Sequence, residues 1–412
     1  MKKLSKMMLA AVASVALAAP AFAWDFSASG SSSATWKQVT VTPASGDATV
    51  DTNFTSSSGG VTVSSTNSDG ANTATFSYTA DWNGDAGNFD EYVTVSGSKK
   101  VGNWTASSST SQYMNKDATA GASPMTAGGT AAITLTDGSI TYKLGDAAHL
   151  STSEKTSGGP MDGAQDAEAR LDSFNGFSVG LGVGPGTLTV ALDMHSGTTS
   201  VFFGEALDGD DNVTAGADSA TGCGSDTTGF GLNFAGDVGA DLTFTYATGS
   251  SSAKPACTGD SSSNTTSMTT MGLGVAVPVG GMSIALDYEG TTYAVKNGAA
   301  VSCAASSTSH EGVVTAGACS AAYDLDASEA VSGFEISVTM PVGDASAGVN
   351  ISSTSSVTTV NGTAGDAAVT GGTELWYTVP IGPVSLAIGY GSAAVTDGAT
   401  TAQMGAEMSM SF

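Results

Sequence analysis

The stretch Ala402-Gln403-Met404-Gly405-Ala406-Glu407-Met408-Ser409-Met410-Ser411-Phe412 decides the fold. In an extended chain Ala402, Met404, Ala406, Met408, Met410 and Phe412 share one face, and Gln403, Gly405, Glu407, Ser409 and Ser411 share the other. Side chains alternate across a strand with period 2, so these residues read as a strand with one greasy and one polar face.

The pattern repeats toward the N-terminus. Val384, Leu386, Ile388 and Tyr390 alternate with Ser385, Ala387 and Gly389, and Leu375, Tyr377, Val379 and Ile381 with Glu374, Trp376 and Thr378. Phe334 to Met340, Met282 to Tyr288, Leu242 to Tyr246, Leu188 to Met194, Phe177 to Val183 and Phe76 to Trp82 follow the same rule. No segment sustains a helical period.

Tight turns join these strands in pairs: Gly184-Pro185-Gly186, Gly236 to Gly239, Pro278 to Gly281, Pro341 to Asp344, Gly382-Pro383, Asp137-Gly138, Val101-Gly102-Asn103 and Asp69-Gly70. Gly, Pro and Asp supply the backbone angles such hairpins need. The connections between them are long and rich in Gly, Ser and Thr, roughly 147–172, 196–228, 250–267, 291–330 and 356–370. Short turns at one end and long loops at the other are the signature of a membrane-spanning barrel. In a bilayer every backbone donor and acceptor needs a partner, which only helices and closed barrels supply. The expectation is therefore all-β: a transmembrane antiparallel up-and-down β-barrel of 16–18 strands, 18 preferred, with short periplasmic turns and long extracellular loops. Trp24 to Val41 reads as one long strand or as a strand with an extension.

The first 23 residues read as a secretory signal peptide. Lys2, Lys3 and Lys6 form a positive start, Met7 to Ala18 is a short apolar run, and Ala21-Phe22-Ala23 is a small-x-small cleavage site. A barrel domain spanning 24–412 would follow. The chain carries 12 basic and 38 acidic residues, a net charge of −26; losing the three leader lysines would make it −29. Arg170 is the one arginine. Nucleic-acid binding, which needs clustered Lys and Arg, is excluded, and an anion pore is disfavoured.

Four cysteines, Cys223, Cys257, Cys303 and Cys319, fall in segments read as loops. They form no CxxC pair, and only His149, His195 and His310 could assist them, so no metal site is expected. An even count in an exported chain favours disulfides. Cys303 with Cys319 and Cys223 with Cys257 is the preferred pairing of the three possible. Asp208-Gly209-Asp210-Asp211-Asn212 is dense in oxygen but lacks the spacing and distal Glu of a calcium loop, and reads as an acidic surface loop. No HExxH motif occurs, and neither an enzyme nor a cofactor is expected.

If the apolar face meets lipid, the opposite face meets water. Parity then places Asp81, Asp193, Asp287, Glu289, Glu335, Glu374 and Glu407 toward the lumen, along with Trp376. An acidic wall between low-dielectric walls concentrates cations. Lys143 is expected on the lipid side, near a strand end. Trp24, Phe26, Trp36, Tyr78, Trp82, Tyr92, Trp104, Tyr142, Tyr246, Tyr288, Tyr377, Tyr390 and Phe412 cluster near strand ends, as interfacial girdles do.

At this point the chain resembles the Gram-negative general porins. It ends in a period-2 strand closed by Phe412, similar to the assembly signal of outer-membrane barrels. Ala132-Ile133-Thr134-Leu135-Thr136-Asp137-Gly138-Ser139-Ile140-Thr141-Tyr142-Lys143-Leu144-Gly145-Asp146 is similar to the porin hairpin that leads into the constriction loop. Segment 147–172 then occupies the place of that loop, with Glu154, Lys155, Asp162, Asp166, Glu168, Arg170 and Asp172 as its candidate charges. The chain departs from the family in having Asp146 where Arg usually follows the Gly, and it cannot build the usual Arg ladder. The resemblance implies an outer-membrane homotrimer surrounded by lipid, a passive channel for small hydrophilic solutes. The charge pattern adds a preference for cations. The rival reading is a secreted or surface structural β-protein such as an adhesin, whose greasy faces would pack on a second sheet.

Overall fold

The computed structural model describes residues 24–83, 88–115, 131–151, 153–157, 174–197, 225–253, 265–299, 307–308, 314–315, 324–360, 362–396 and 398–412. They form a closed antiparallel barrel of 18 strands. In chain order these are β1 Asp25–Thr42, β2 Thr49–Ser68, β3 Asn72–Asn83, β4 Asn88–Val101, β5 Trp104–Asn115, β6 Ala131–Thr136, β7 Ile140–Ala147, β8 Phe174–Val183 and β9 Gly186–Gly197. There follow β10 Ser225–Asp237, β11 Asp241–Ala253, β12 Thr265–Val279, β13 Met282–Ala299, β14 Asp324–Val342, β15 Ala345–Val360, β16 Ala368–Ile381, β17 Val384–Val395 and β18 Thr400–Ser411. Two-residue strands at Ser307–Thr308, Val314–Thr315 and Thr363–Ala364 decorate the connections.

Each strand pairs with its neighbours in sequence, and β1 pairs with β18 from Ser31↔Ser411 to Thr42↔Thr400, so no edge is left open. At the seam the Gly30 N–H donates to the Phe412 carbonyl at 2.8 Å, and the Phe412 N–H donates back at 3.0 Å. Closure satisfies backbone groups that an open sheet would expose.

Exposure alternates residue by residue along the middle of several strands. Leu286 and Tyr288 are exposed while Asp287 between them is fully buried; Phe334 and Ile336 are exposed while Glu335 is buried. Large apolar side chains dominate the outer surface, and most of the buried side chains are polar or charged. The greasy faces therefore do not stack on a second sheet, as the rival structural-protein reading requires. On the outer surface Trp104, Tyr142 and Phe177 form a stacked row, with centroids 6.3 and 6.4 Å apart.

All connections from even- to odd-numbered strands are two or three residues long, and both chain ends of the barrel lie at that end. In the β12–β13 turn Gly280 and Gly281 have φ of 59° and 89°, a pair of left-handed angles that other residues resist. The opposite end carries every longer connection, including 116–130, 148–173, 198–224, 254–264 and 300–323.

The sequence expectation needs four amendments. The long connections are shorter than read, because Ser250 to Ala253, Thr291 to Ala299 and Ser356 to Val360 continue their strands. The region read from Trp24 is one strand, Asp25–Thr42, paired with a second long strand, β2. A further long connection, 116–130, separates β5 from β6. Lys143 shares the face of Thr141 and Gly145, opposite exposed Tyr142 and Leu144, so it points inward. The cysteines, residues 1–23, His310 and Asp208 to Asn212 lie outside the described residues.

Candidate functional site

Beyond β7 the chain turns inward, and its described part, Ala148 to Ser151 and Ser153 to Ser157, crosses the inner wall from β8 to β14. Each contact is a local consequence of what the wall offers.

His149 is buried. Its Nε2 lies 2.9 Å from the Gly145 carbonyl and its Nδ1 2.9 Å from Ser178 Oγ on β8. A carbonyl only accepts, so Nε2 carries the proton. Leu150 fills the space left by Gly231 on β10, where a Cβ would sit 2.5 Å from Leu150 Cδ1. The Ser151 carbonyl accepts from Asn233 Nδ2 at 3.2 Å and from Thr245 Oγ1 on β11 at 2.9 Å. The Ser153 carbonyl lies against Gly274 on β12, where an added Cβ would come within 1.6 Å of it.

The firmest attachment is to β13. The Lys155 N–H donates to Asp287 Oδ1 and Oδ2 at 2.9 and 2.8 Å, and the Thr156 N–H to Oδ2 at 2.6 Å. Bonds from N–H groups to a carboxylate are roughly twice as strong as neutral ones. Lys155 Nζ reaches down to Asp241 at 3.0 Å. The Ser157 N–H donates to Ser337 Oγ on β14 at 3.1 Å. Lys143 Nζ donates to the Ala148 carbonyl at 2.6 Å, holding the turn into the lumen.

These wall residues lie at one height. Ser178, Gly231, Asn233, Thr245, Gly274, Asp287 and Ser337 each stand four to six positions from the short-turn end of their strands. That is about 13–20 Å along a strand, near the middle of a ~25 Å apolar band once strand tilt is counted. The segment is a horizontal belt across one side of the interior.

Of the acids singled out by parity, Asp193, Asp287, Glu335 and Glu374 are at most 4% exposed, and Asp81, Glu289 and Glu407 are half-buried on the same face. Glu407 Oε2 accepts from Thr35 Oγ1 at 3.2 Å, and Glu289 Oε1 from Thr291 Oγ1 at 2.9 Å. Asp287 and Glu335 are direct cross-strand partners. Trp376 is on the inner face as expected, with its ring over Gly348. The wall of β1–β7 is instead paved with hydroxyl pairs: Ser33–Ser58 at 3.0 Å, Thr62–Thr79 at 2.9 Å, Thr66–Thr75 at 3.0 Å, Thr94–Ser111 at 2.8 Å and Thr136–Thr141 at 2.9 Å.

Among the loop charges, Glu154 is exposed and Lys155 is bridged; Asp162, Asp166, Glu168, Arg170 and Asp172 lie outside the described residues. Sequence reading missed His149, Asn233, Thr245, Ser337 and the two glycine notches. A Gly at an inward position of an otherwise polar strand face was the one available signal. Among the described residues no group of three or more His, Cys, Asp and Glu converges as a metal centre requires.

A closed cylinder with a greasy outside, a polar inside and a segment folded across its interior defines a transmembrane β-barrel of porin-like architecture. No family model matches the sequence, and neither does any curated protein. Among solved structures the chain is similar to OmpT, an outer membrane protein of Vibrio cholerae, in its in-vitro folded trimer form. The TM-score is 0.44 at 8% identity, over 95% of this chain and 100% of that one. An anion-selective porin from Comamonas acidovorans gives 0.43 at 10% identity, over 94% and 100%. OpdK of Pseudomonas aeruginosa, solved with vanillate, gives 0.41 at 11% identity, over 93% and 99%.

Proposed function

We propose that this barrel is a passive diffusion channel of an outer membrane, passing small hydrophilic solutes and ions with a preference for cations. The observation that carries the reading is the set of buried carboxylates Asp193, Asp287, Glu335 and Glu374 on the face away from lipid, with Asp287 at the height of the inner segment and the other three seven positions from the short-turn end, just beyond it. Asp81, Glu289 and Glu407 extend the same sign along the wall. The nearby lysines are engaged: Lys143 with a carbonyl, Lys155 with Asp241. Negative charge within low-dielectric walls raises local cation concentration. Segment 147–172 acts in this reading as the constriction loop, its described part pinned by Asp287.

The working unit is a homotrimer. Support comes from the outer face of β2–β5, where Ala80, Gly97, Ala106, Ser108 and Thr110 set small side chains among larger ones such as Val95 and Trp104. Tyr78 there donates to Glu91, a polar pair that is costly against hydrocarbon and inexpensive against a second copy. Residues 1–23 serve as a cleaved export leader, and Phe412 as the assembly signal.

Reconstitution in a planar bilayer under a KCl gradient tests the reading. A reversal potential drawn toward the K⁺ equilibrium value is expected. Chloride selectivity would remove the cation preference, and absence of unitary conductance would remove the channel.

A further inference from the structure

On the inner wall beside the belt, β14, β15 and β16 bring Glu335, Asn350 and Glu374 together. Asn350 stands directly opposite Glu374 on one side and opposite Ser337 on the other, one inward position from Glu335. All three are at most 4% exposed. Asn350 Nδ2 donates to Glu335 Oε1. Turning the amide over would set its oxygen against a carboxylate oxygen, so the orientation is fixed by chemistry. Asn350 Oδ1 is then left buried with no hydrogen-bond partner. A buried acceptor without a partner costs about 1–3 kcal/mol, and native structures seldom keep one without cause.

An amide oxygen is completed by a hydrogen-bond donor or by a cation. Glu335 takes the amide of Asn350 and Glu374 stands opposite it in the register, so the charged groups placed beside it repel an anion and gain from a cation. The oxygens come from hard donors, the class that alkali and alkaline-earth ions prefer. We infer that Asn350 Oδ1, with the carboxylates of Glu335 and Glu374, forms a weak cation-binding station on the pore wall. Two carboxylates and one amide oxygen fall short of a permanent metal centre, and such a set suits an ion that exchanges during conduction. The Ser157 attachment to Ser337 places the station at the edge of the belt. The inference rests on the channel reading and deepens it by locating where the passing ion pauses.

Calcium is the probe. The full chain is reconstituted in KCl and CaCl2 is titrated in. A divalent ion held at the wall offsets its carboxylates, so unitary K⁺ conductance is expected to fall to a plateau and the reversal potential to move toward zero. Asn350→Leu removes the oxygen at nearly constant shape and is expected to raise the half-effect concentration about tenfold, equivalent to about 1.4 kcal/mol. Asn350→Asp adds a carboxylate and is expected to lower it by a similar factor. Asp366→Asn, on an exposed connection, should leave it unchanged. Each variant is first checked for heat-modifiable migration; if the Leu variant does not fold, the Asp variant decides. No calcium effect on the wild type, or the same half-effect concentration in wild type and Asp variant, overturns the station. In that case an unchanged K⁺ preference leaves the channel reading standing, whereas a channel that does not conduct, or that prefers chloride, removes the reading itself.

Discussion

The Lys155 N–H donates to both carboxylate oxygens of Asp287, 132 positions further along the chain, at 2.9 and 2.8 Å. With the Thr156 N–H on the same carboxylate, one wall residue fixes the course of the inner segment. A carboxylate used this way is a latch as much as a wall charge.

Asp287→Ala leaves those N–H groups without their acceptor, a loss of about 1.5–3 kcal/mol for each bond to a charged group. The segment is expected to detach locally while the barrel stays closed, raising unitary conductance and its noise. Gly274→Val is expected to act in the same direction, because a Cβ there collides with the Ser153 carbonyl. Unitary conductance of both variants equal to that of the wild type would show that the segment does not limit ion flow.

Two exposed turn carboxylates give the barrel an acid limb. Asp137 accepts from Ile140 and Ser139 N–H groups, which hold its carboxyl below the usual value of 3.8. The Asn72 side-chain amide, aided by the Asn72 and Ala71 N–H groups, does the same for Asp69. A depressed folded-state pKa adds stability above the unfolded value and loses it as pH falls through the folded value. Unfolding midpoints followed by heat-modifiable migration should therefore decline below about pH 4. In the double variant Asp69→Asn, Asp137→Asn this part of the decline should be absent; an identical acid limb would exclude the two turns as its cause.

At the barrel seam the Phe412 ring occupies the space a Cβ on Gly30 would need, within 2.6 Å. Gly30→Val is expected to displace the ring and strain the closing ladder. The folded fraction recovered from outer membranes should fall, as it should on deletion of Phe412. Full recovery in both variants would mean that closure relies on the rest of the β1–β18 register.

The strand count was legible because each tight turn carries its own chemistry and each strand its own parity. Leu375 beside Glu374, or Phe334 beside Glu335, is enough to orient a strand once one face is known to be greasy. Strand ends were harder to place. Ser251, Thr292 and Thr358 look like linker residues, yet they continue strands, because pairing with a neighbour needs no apolar side chain. Lys143 lies between outward-facing Tyr142 and Leu144, so a correct count of parity places it inward, not on the lipid side. The partners of the inner segment were out of reach for a different reason. Which wall residues meet Ser151 or Lys155 depends on pairings more than 80 positions apart, and no local period records them. Asn350 was invisible for the same reason, since its significance lies in an oxygen left over after Glu335 has taken its amide.

The inside and the outside of the cylinder are told apart most directly by Glu407 and Met408, adjacent on β18 with opposite facing. Single cysteines are introduced at each position after Cys223, Cys257, Cys303 and Cys319 are replaced by Ser. The bilayer-embedded protein is then treated with a charged, membrane-impermeant thiol reagent while current is recorded. Stepwise loss of conductance is expected with Glu407→Cys and no change with Met408→Cys, which should react only with a lipid-soluble reagent. Rapid modification of Met408→Cys by the charged reagent, with Glu407→Cys protected, would contradict an acid-lined aqueous interior.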